Sequence, residues 1–413
     1  MAIEQLTIWG TSEPIVSDKE KQNAQYTYKF NKSMGRHGWL RLTPAYSVKI
    51  VEEIIAGLDY HPKCVLEPFS GTGTTELVCS SKGIESVAYD INPFLVWFAN
   101  AKTHLYTHTD VVSVANQLVN DLDLFLPADL PPIAHIERWW GSKQLEFLAR
   151  MKTAVYSVDN EEIKDLLKVA FCRFLISISN AAFNHVSTSF KEADIEQEFD
   201  ENAAKEFFLS ICSSINDTIH PQPIAPVSIY NADSTKILEC TPNYDTVITS
   251  PPYPNRISYI RELRPYMYWL DYLKSSDDAS DLDWETIGGT WGAATSKLAT
   301  WKSKTTMLPT YLLDIAQNIS NADNKSALLM ANYVLKYFDD IALHLDSIYH
   351  SMEEHGTIHY IIGNSNFYGN TVPAERIYVD LMSQIGFVNA RSRIIRKRNC
   401  NKALYEFIVS AEK

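Results

Sequence analysis

The tetrapeptide Ser250-Pro251-Pro252-Tyr253 follows an apolar run at 245–249 and combines residue types suited to one kind of chemistry. The Ser250 hydroxyl and the Pro251 carbonyl could accept the hydrogens of an exocyclic amine and so stabilise the positive charge that develops as the nitrogen is methylated. The two prolines stiffen the loop and expose carbonyls that no helix pairs. The Tyr253 ring offers a flat face on which an extruded base can stack. A proline-rich turn with a surface tyrosine is the alternative interpretation, and a second motif is needed to decide.

The second motif lies upstream, in the segment 65–75, which reads VLEPFSGTGTT. A strand, then Gly71-x-Gly73, then a helix would bring backbone N–H groups to the polar end of a ligand, and the glycines allow close approach. Asp90, at the end of the next predicted strand, is placed to accept hydrogen bonds from ribose hydroxyls. The pattern alone does not separate a dinucleotide from S-adenosylmethionine. The missing third glycine of G-x-G-x-x-G and the acid Glu67, which can contact an amino group, favour the methyl donor over a dinucleotide. Asp90 downstream argues against a plain structural turn.

The order of the predicted elements is that of a doubly wound α/β sheet. A strand at 64–67, a Gly/Thr-rich turn, a helix at 74–81 and a strand at 84–90 follow one another, and the chain is predicted to end in an antiparallel hairpin at 387–388 and 404–409. The remaining predictions are strands at 227–230, 246–248 and 357–363, and helices at 44–55, 93–102, 161–176, 328–352 and 372–386.

Together the two motifs resemble those of the bacterial and phage S-adenosylmethionine-dependent DNA amino-methyltransferases of restriction–modification systems. The family's S/N/D-P-P-Y/F motif matches 250–253, its F-x-G-x-G motif matches 69–73, and its acidic ribose-binding position matches Asp90. The resemblance covers about half of the chain. It implies a Rossmann-like class I fold with a mostly parallel seven-stranded sheet and a terminal antiparallel hairpin. It also implies that S-adenosyl-L-methionine is the donor and S-adenosyl-L-homocysteine the product.

The resemblance further implies the residues of the site. The expected catalytic residues are Ser250, Pro251, Pro252 and Tyr253. The expected donor-binding residues are Thr43, Glu67, Pro68, Phe69, Ser70, Gly71, Gly73, Thr74, Thr75, Asp90, Ile91, Asn92, Asp233 and Ser234. DNA contacts are expected from Arg256, Arg261 and Arg264, just after the tetrapeptide, and from Trp291 and Lys297. No metal is expected, because the histidines lack metal-ligand spacing and transfer from a sulfonium requires none.

The predicted domain organisation is a catalytic core interrupted twice. Residues 1–36 are predicted to form an amino-terminal arm, and the core is assigned to 37–102, 227–273 and 328–413. Residues 103–226 are predicted to be a mainly helical insertion, and 274–327 a second insertion. Because no carboxy-terminal recognition domain fits after the last hairpin, target recognition is expected from one insertion or both. A buried aromatic cluster would equally explain the tryptophans of the second insertion.

The serine that opens the tetrapeptide implies cytosine N4 as the target, by resemblance, and adenine N6 stays open. Cytosine C5 methylation is set aside because no cysteine follows a proline. Two other classes remain as alternatives. An RNA base methyltransferase is disfavoured by the lack of a recognisable RNA-binding module, and a non-catalytic DNA-binding subunit by the intact motif residues.

Charge and composition restrict the partners. The net charge of −13 argues against a generally basic nucleic-acid binder, but phosphate contacts need only a local basic surface. Basic residues between 391 and 402 form one such cluster, for which a solvated face is the preferred interpretation. The six scattered cysteines, the absence of a leader and the absence of a membrane-length apolar span predict a cytoplasmic protein. The expected partners are double-stranded DNA and a separately acting cognate restriction endonuclease, with no membrane.

Overall fold

The computed structural model describes residues 24–40, 42, 45–107, 110–182, 189–190, 199–236, 243–289, 293–398 and 403–413. Its strands are β1 (Cys64–Glu67), β2 (Glu85–Asp90), β3 (Ala181–Ala182), β4 (Ser189–Phe190), β5 (Val227–Asn231), β6 (Thr246–Thr249), β7 (Thr357–Gly363), β8 (Ser365–Phe367), β9 (Asn370–Val372), β10 (Val388–Lys397) and β11 (Tyr405–Glu412). Its helices are α1 (Val48–Gly57), α2 (Thr74–Ser81), α3 (Pro93–Thr103), α4 (Val111–Asn120), α5 (Ser142–Tyr156), α6 (Glu161–Ser177), α7 (Glu201–Asn216), α8 (Tyr259–Trp269), α9 (Ser276–Glu285), α10 (Ala293–Ala299), α11 (Thr310–Ser320), α12 (Ala327–Ser351) and α13 (Ala374–Ile385). None of the helices in these ranges has the length and apolar character that a bilayer crossing requires.

Seven of the described strands form one sheet in the order β10-β11-β7-β6-β1-β2-β5. The pairs β1–β2, β1–β6, β2–β5 and β6–β7 are parallel, whereas β11 runs antiparallel to both β7 and β10. The strand order reverses between β1 and β6, which is the position where open α/β sheets bind their ligands. The predicted α/β class, the mostly parallel seven-stranded sheet and the terminal antiparallel hairpin are therefore confirmed.

Helices cover both faces of the sheet. In β1, Val65 belongs to the hydrophobic cluster that includes α1 and α2, whereas Leu66 belongs to the cluster that includes α12 and α13. Both side chains are fully buried. Strands buried on both faces have short continuous apolar runs, which is why the core strands could be located from the sequence.

The predicted first insertion shares its core with α8, the helix that follows the tetrapeptide 250–253, which we call the acceptor tetrapeptide. Helices α4 to α7 lie in the described part of 103–226, where a mainly helical insertion is predicted, and they pack in one cluster with α3 and α8. Trp140, which is fully buried, donates its indole N–H to the Leu175 carbonyl at 2.9 Å. Its ring meets Trp269 of α8 edge-on, with 5.8 Å between centroids.

Helices α9 to α11 lie in the second insertion, where the sequence predicted no regular element. The segment is rich in Trp, Thr, Ser and Gly, which are weak helix formers, so tertiary packing must supply the stability. Leu298, Leu312 and Ile319 are fully buried in the cluster that contains α12. The buried Asp339 of α12 accepts hydrogen bonds from the Lys304 backbone N–H at 3.0 Å. The second insertion is thus seated on α12.

Two predicted boundaries differ from the structure. Helix α1 begins at Val48 and not near 44, because the Ser47 hydroxyl caps it by accepting from the Lys49 N–H. The terminal hairpin is longer than predicted, since β10 continues to Lys397. Its exposed arginines, Arg391 and Arg393, alternate along an edge strand, and charged residues are common where a sheet edge must not pair with another chain.

Arg36 joins the described part of the amino-terminal arm to the end of α3 and to the segment just before β5. Its guanidinium is buried and donates to the carbonyls of Lys102 at 2.9 Å, His104 at 2.6 Å and Ile219 at 2.6 Å, and to Gln222 Oε1 at 2.6 Å. Two of these carbonyls lie at the carboxyl end of α3, where helices leave their carbonyls unpaired. Burial lowers the pKa of Arg36 to about 10, so it remains charged at neutral pH.

Candidate active site

The donor loop, residues 68–73, requires glycine at two positions. Gly71 and Gly73 have φ of +54° and +67°, which side-chain-bearing residues rarely adopt. A Cβ on Gly73 would lie 2.9 Å from the Cβ of Ala99, so this glycine also lets α2 pack closely against α3. Helix α2 begins at Thr74 directly after the loop, and its first N–H groups have no intrahelical partner. The loop therefore has the backbone geometry of an anion- or dipole-binding turn.

Asp90 is oriented by backbone groups at the carboxyl end of β2. Its Oδ2 accepts from the Gly71 N–H at 2.8 Å, and its Oδ1 accepts from the Asn92 N–H at 2.8 Å. Burial raises the pKa of Asp90 to about 6, although both N–H groups act to lower it. Asn92 itself caps α3 by accepting from the Phe94 N–H at 3.0 Å. The structure thus brings Asp90 against the donor loop, and ribose binding by this carboxylate stays a prediction.

Glu67 joins the donor loop to the strand that carries the acceptor tetrapeptide. Its carboxylate is fully buried and accepts hydrogen bonds from Tyr46 Oη and Thr75 Oγ1, each at 2.8 Å, and from the Phe69 N–H at 3.0 Å. The fourth donor is the hydroxyl of Thr249, the last residue of β6. Burial, followed by the neighbouring Glu76 carboxylate, raises the pKa of Glu67. Contact between Glu67 and a methyl donor stays a prediction.

Two buried ionisable side chains, Glu76 and Lys102, hold the donor loop through hydrogen bonds. Glu76 accepts from the Ser70 hydroxyl, and Lys102 Nζ donates to the Thr72 carbonyl, so both loop residues that flank Gly71 are held by side chains. Burial raises the pKa of Glu76 to about 7 and lowers that of Lys102 to about 7, while each charge stabilises the other.

The acceptor tetrapeptide leaves the same edge of the sheet as the donor loop. The Ser250 hydroxyl donates to the Ile361 carbonyl of β7 at 3.1 Å. The Tyr253 ring packs on Gly363 at the end of β7, where an added Cβ would lie 2.9 Å from the ring, and the Arg398 guanidinium lies 5.9 Å from the ring centroid. Burial raises the pKa of Tyr253 well above its usual value, so the phenol is neutral; stacking of a base on its ring stays a prediction.

His344 of α12 connects the donor loop to the segment containing Asp233 and Ser234. Its Nδ1 lies 2.9 Å from the Ser234 carbonyl, which can only accept, so Nδ1 carries the proton. Burial lowers the pKa of His344 to about 4. The neutral ring therefore accepts at Nε2 from Tyr360 Oη, 2.8 Å away. The same ring packs on Phe69, with 4.8 Å between centroids.

The remaining predicted donor-site residues fall into three groups. Pro68 and Thr74 are buried and Ile91 is half-buried. Asp233 accepts from the Thr235 N–H at 2.9 Å, which turns the chain after β5. Thr43 lies outside the described residues.

The predicted DNA-contacting residues are only partly free of protein contacts. Arg256 is exposed just after the tetrapeptide and has φ of +63°, a strained conformation for a non-glycine residue. Arg261 and Arg264 are half-buried on successive turns of α8, and burial lowers the pKa of Arg264. Lys297 pairs with Asp281 at 3.4 Å, and Trp291 lies outside the described residues. DNA contact by these residues stays a prediction.

Sequence reasoning did not identify several residues that contact or support the two loops. They include Glu76 and Lys102 beneath the donor loop, Tyr333, Tyr337 and His344 of α12, Tyr360 and Gly363 of β7, and Tyr378 of α13. The α12 residues recur at helical spacing, which is also the pattern of an ordinary buried helix face. The only signal in the sequence was that three residues of this otherwise apolar helix face carry a polar atom that could form a hydrogen bond.

No protein-family model matches the chain. The chain is 24% identical over 270 residues to Type II methyltransferase M.AvaI of a Nostoc species, covering 57% of this chain and 54% of that protein. It is 33% identical over 93 residues to Type II methyltransferase M.BsoBI of Geobacillus stearothermophilus, covering 22% and 18%. It is 24% identical over 256 residues to Type II methyltransferase M.MvaI of Kocuria varians, covering 55% of each. The chain thus spans about half the length of M.AvaI and M.MvaI.

Among solved structures, the chain is similar to the rRNA methyltransferase aviRa from Streptomyces viridochromogenes. The sequences are 11% identical, the similarity covers 90% of this chain and 87% of that one, and the TM-score is 0.29.

The bond between Thr249 and Glu67 gives a stability prediction. Replacing Thr249 by Val keeps the shape but leaves Glu67 one donor short, so the free energy of unfolding should fall by about 1–3 kcal/mol. Urea titration followed by circular dichroism measures it. Thr153→Val is the control, because the Thr153 hydroxyl bonds only to the Ala149 carbonyl of its own helix. Equal losses in the free energy of unfolding of both variants would show that the bond to Glu67 contributes no more than a hydrogen bond within a helix.

Proposed function

We propose that this chain is a site-specific DNA methyltransferase that moves a methyl group from S-adenosyl-L-methionine to the exocyclic N4 of a flipped-out cytosine. The observation that carries the proposal is the adjacency of the two motifs. β1 and β6 are neighbouring parallel strands, with Val65 paired to Thr246, and the donor loop and acceptor tetrapeptide follow their carboxyl ends. The similarity to Type II methyltransferases supports the methyltransferase part of the proposal.

The residues of the donor loop fit S-adenosylmethionine. Gly71 and Gly73 adopt positive φ and carry no side chain, so the turn presents its backbone at these positions, and Asp90 has lone pairs beyond the two N–H bonds it accepts. By resemblance, Asp90 would hold the ribose hydroxyls, and Asp233 with Ser234 would lie near the adenine. When bound, S-adenosylmethionine supplies an electrophilic methyl carbon on a positively charged sulfur and leaves as S-adenosyl-L-homocysteine.

The acceptor tetrapeptide would orient the base and accept the hydrogens of its amine. The Ser250 hydroxyl oxygen and the Pro251 carbonyl would draw the amine toward a tetrahedral nitrogen and stabilise the positive charge that it gains. Tyr253 would stack on the base, which an intact duplex keeps out of reach. Transfer then needs no covalent enzyme intermediate, and most of the rate advantage comes from holding the groups in line.

The proposed substrate is double-stranded DNA in the cytoplasm, and a cognate restriction endonuclease would act separately. We propose that the second insertion, the first, or both read the target sequence, and that Arg256, Arg261, Arg264, Trp291 and Lys297 contact DNA. Adenine N6 is the alternative target, because the tetrapeptide handles the amine and not the ring.

The proposal is tested by incubating the purified chain with tritiated S-adenosylmethionine and either unmethylated genomic DNA or total RNA. We expect label in DNA and N4-methylcytosine in its nucleoside digest by mass spectrometry. N6-methyladenine would select the alternative base. Label in RNA alone, or in neither substrate despite donor binding, would overturn the proposal.

Tyr253→Ala should separate base positioning from donor binding. Loss of the stacking face should lower the methyl-transfer rate at saturating donor by about 10- to 100-fold, while the dissociation constant of S-adenosyl-L-homocysteine stays within about twofold of wild type. Filter-binding kinetics and calorimetry measure the two quantities. A parallel loss of both would remove Tyr253 from its assigned role.

Asp90 should make donor binding depend on pH. Because its pKa is raised to about 6, the carboxylate becomes protonated as the pH falls through 6 and then accepts fewer ribose hydrogen bonds. The affinity for S-adenosyl-L-homocysteine should therefore fall by about tenfold between pH 7 and pH 5. Calorimetry across that range checks it.

Asp90→Asn should bind weakly at every pH with a flat profile, which separates Asp90 from the nearby Glu76. Asp165→Asn is the matched control, because burial also raises the pKa of Asp165, which pairs with Trp97 in α3 away from the loop. A flat wild-type profile would exclude Asp90 from the donor site.

A further inference from the structure

Helix α12 carries two buried tyrosines, one helical turn apart, that bond to the acceptor loop, by which we mean the acceptor tetrapeptide and the residues that follow it up to Arg256. Tyr333 and Tyr337 are each 1% exposed. The Tyr337 hydroxyl donates to the Pro252 carbonyl at 2.7 Å, and the Arg256 N–H donates to the Tyr333 hydroxyl at 3.2 Å. Residues four apart lie on the same face of a helix, so one face of α12 holds both ends of the segment 252–256.

A third tyrosine determines how Tyr337 uses its hydrogen. A phenol has a single O–H, and the Pro252 carbonyl can only accept, so the Tyr337 hydrogen is committed to that carbonyl. Tyr378 Oη of α13 lies 3.0 Å from Tyr337 Oη and must therefore donate to it. Burial raises the pKa of both phenols above their usual values, so both stay protonated at neutral pH. The donors thus run in one direction, from Tyr378 to Tyr337 to Pro252.

This chain of hydrogen bonds distinguishes the carbonyl of Pro252 from that of Pro251. The Pro252 carbonyl is occupied, whereas the Pro251 carbonyl receives no hydrogen bond from the described part of the chain. The Pro252 carbonyl also belongs to the rigid peptide plane that leads into Tyr253. Fixing that oxygen therefore fixes where the Tyr253 backbone begins.

The second insertion closes on the same point. A Cβ on Gly288 would lie 3.6 Å from Tyr333 Oη, 3.6 Å from Tyr337 Cδ2 and 3.7 Å from Pro252 Cβ. Ser258, which caps α8 after the loop, donates to Asp283 of α9 at 2.5 Å. The loop is thus enclosed by α12 on one side and by the second insertion on another.

We propose that Tyr337, supported by Tyr378, is a positioning residue for the acceptor loop. Its hydroxyl holds the Pro252–Tyr253 peptide plane, which leaves the Pro251 carbonyl and the Ser250 hydroxyl to meet the amine of a base stacked on Tyr253. The proposal rests on the proposed methyl transfer. Tyr337 acts through the loop and does not itself touch the reacting atoms.

The test compares Tyr337→Phe with Tyr244→Phe. Tyr244 is also 1% exposed, and its hydroxyl lies 2.7 Å from Ser351 Oγ at the far end of α12, so its loss removes a similar buried hydrogen bond away from the site. The measurements are the single-turnover rate of tritium transfer to unmethylated genomic DNA, the calorimetric affinity for S-adenosyl-L-homocysteine, and the melting temperature.

Tyr337→Phe should transfer about 10- to 100-fold more slowly than wild type, because small misplacements of a reacting group carry costs of this size. Its affinity for S-adenosyl-L-homocysteine should stay within about twofold. Tyr244→Phe should lose a similar amount of thermal stability but keep the wild-type rate. Tyr378→Phe, which keeps the Tyr337 bond and removes only its support, should slow transfer by about two- to fivefold.

Equal rates for Tyr337→Phe and Tyr244→Phe, in a wild type that methylates DNA, would overturn the positioning role and leave the proposed function standing. A loss of product affinity as large as the loss of rate would also overturn it, because the change would then be general damage. A wild type that binds S-adenosyl-L-homocysteine but methylates no DNA would overturn the proposed function, and the positioning role with it. Should Tyr337→Phe not fold, Tyr378→Phe decides by the same comparison.

Discussion

The buried carboxylate of Glu67 is the junction on which the geometry of the candidate site depends. It lies at the end of β1 and accepts from Thr249 at the end of β6, from Thr75 at the start of α2 and from the backbone of the donor loop. A carboxyl group suits this place because its two oxygens have enough lone pairs for four donors to converge on it. Its burial is costly without those bonds. The two loops are therefore fixed relative to each other by an interaction that would be unfavourable if either strand end moved away.

Beneath the donor loop, too, polar groups are buried at a cost in free energy and hold the loop in position through hydrogen bonds. Glu76 and Lys102 are buried ionisable groups, and each is tolerated because the charge of the other favours its own charged form and because each bonds to the loop, Glu76 through Ser70 and Lys102 through Thr72. Apolar residues of similar size would cost less to bury. They could not hold a hydroxyl and a carbonyl in place, however, so the arrangement favours a defined loop over maximal stability.

The sequence predicted those parts of the fold whose signals are local. Helix α2 begins and ends where predicted, at Thr74 and Ser81, because glycines precede it and a buried strand lies on each side. The hairpin was underestimated because charges alternating along β10 resemble a solvated basic cluster. Tyr337 and His344 were missed for a different reason: their roles depend on partners 85 and 110 residues away, at Pro252 and Ser234, and helical spacing alone predicts only burial.

Helix α12 gives the proposed recognition region a physical route to the acceptor loop. The second insertion is anchored on one part of its surface through Asp339, and the cation–π contact between Trp284 and Lys336, at 4.8 Å, adds a further attachment. The face that carries Tyr337 holds the acceptor loop. Packed interiors have low compressibility and transmit strain. If the second insertion reads the target sequence, as proposed, a displacement of that insertion would therefore be transmitted through α12 to the loop that holds Pro252 and Tyr253.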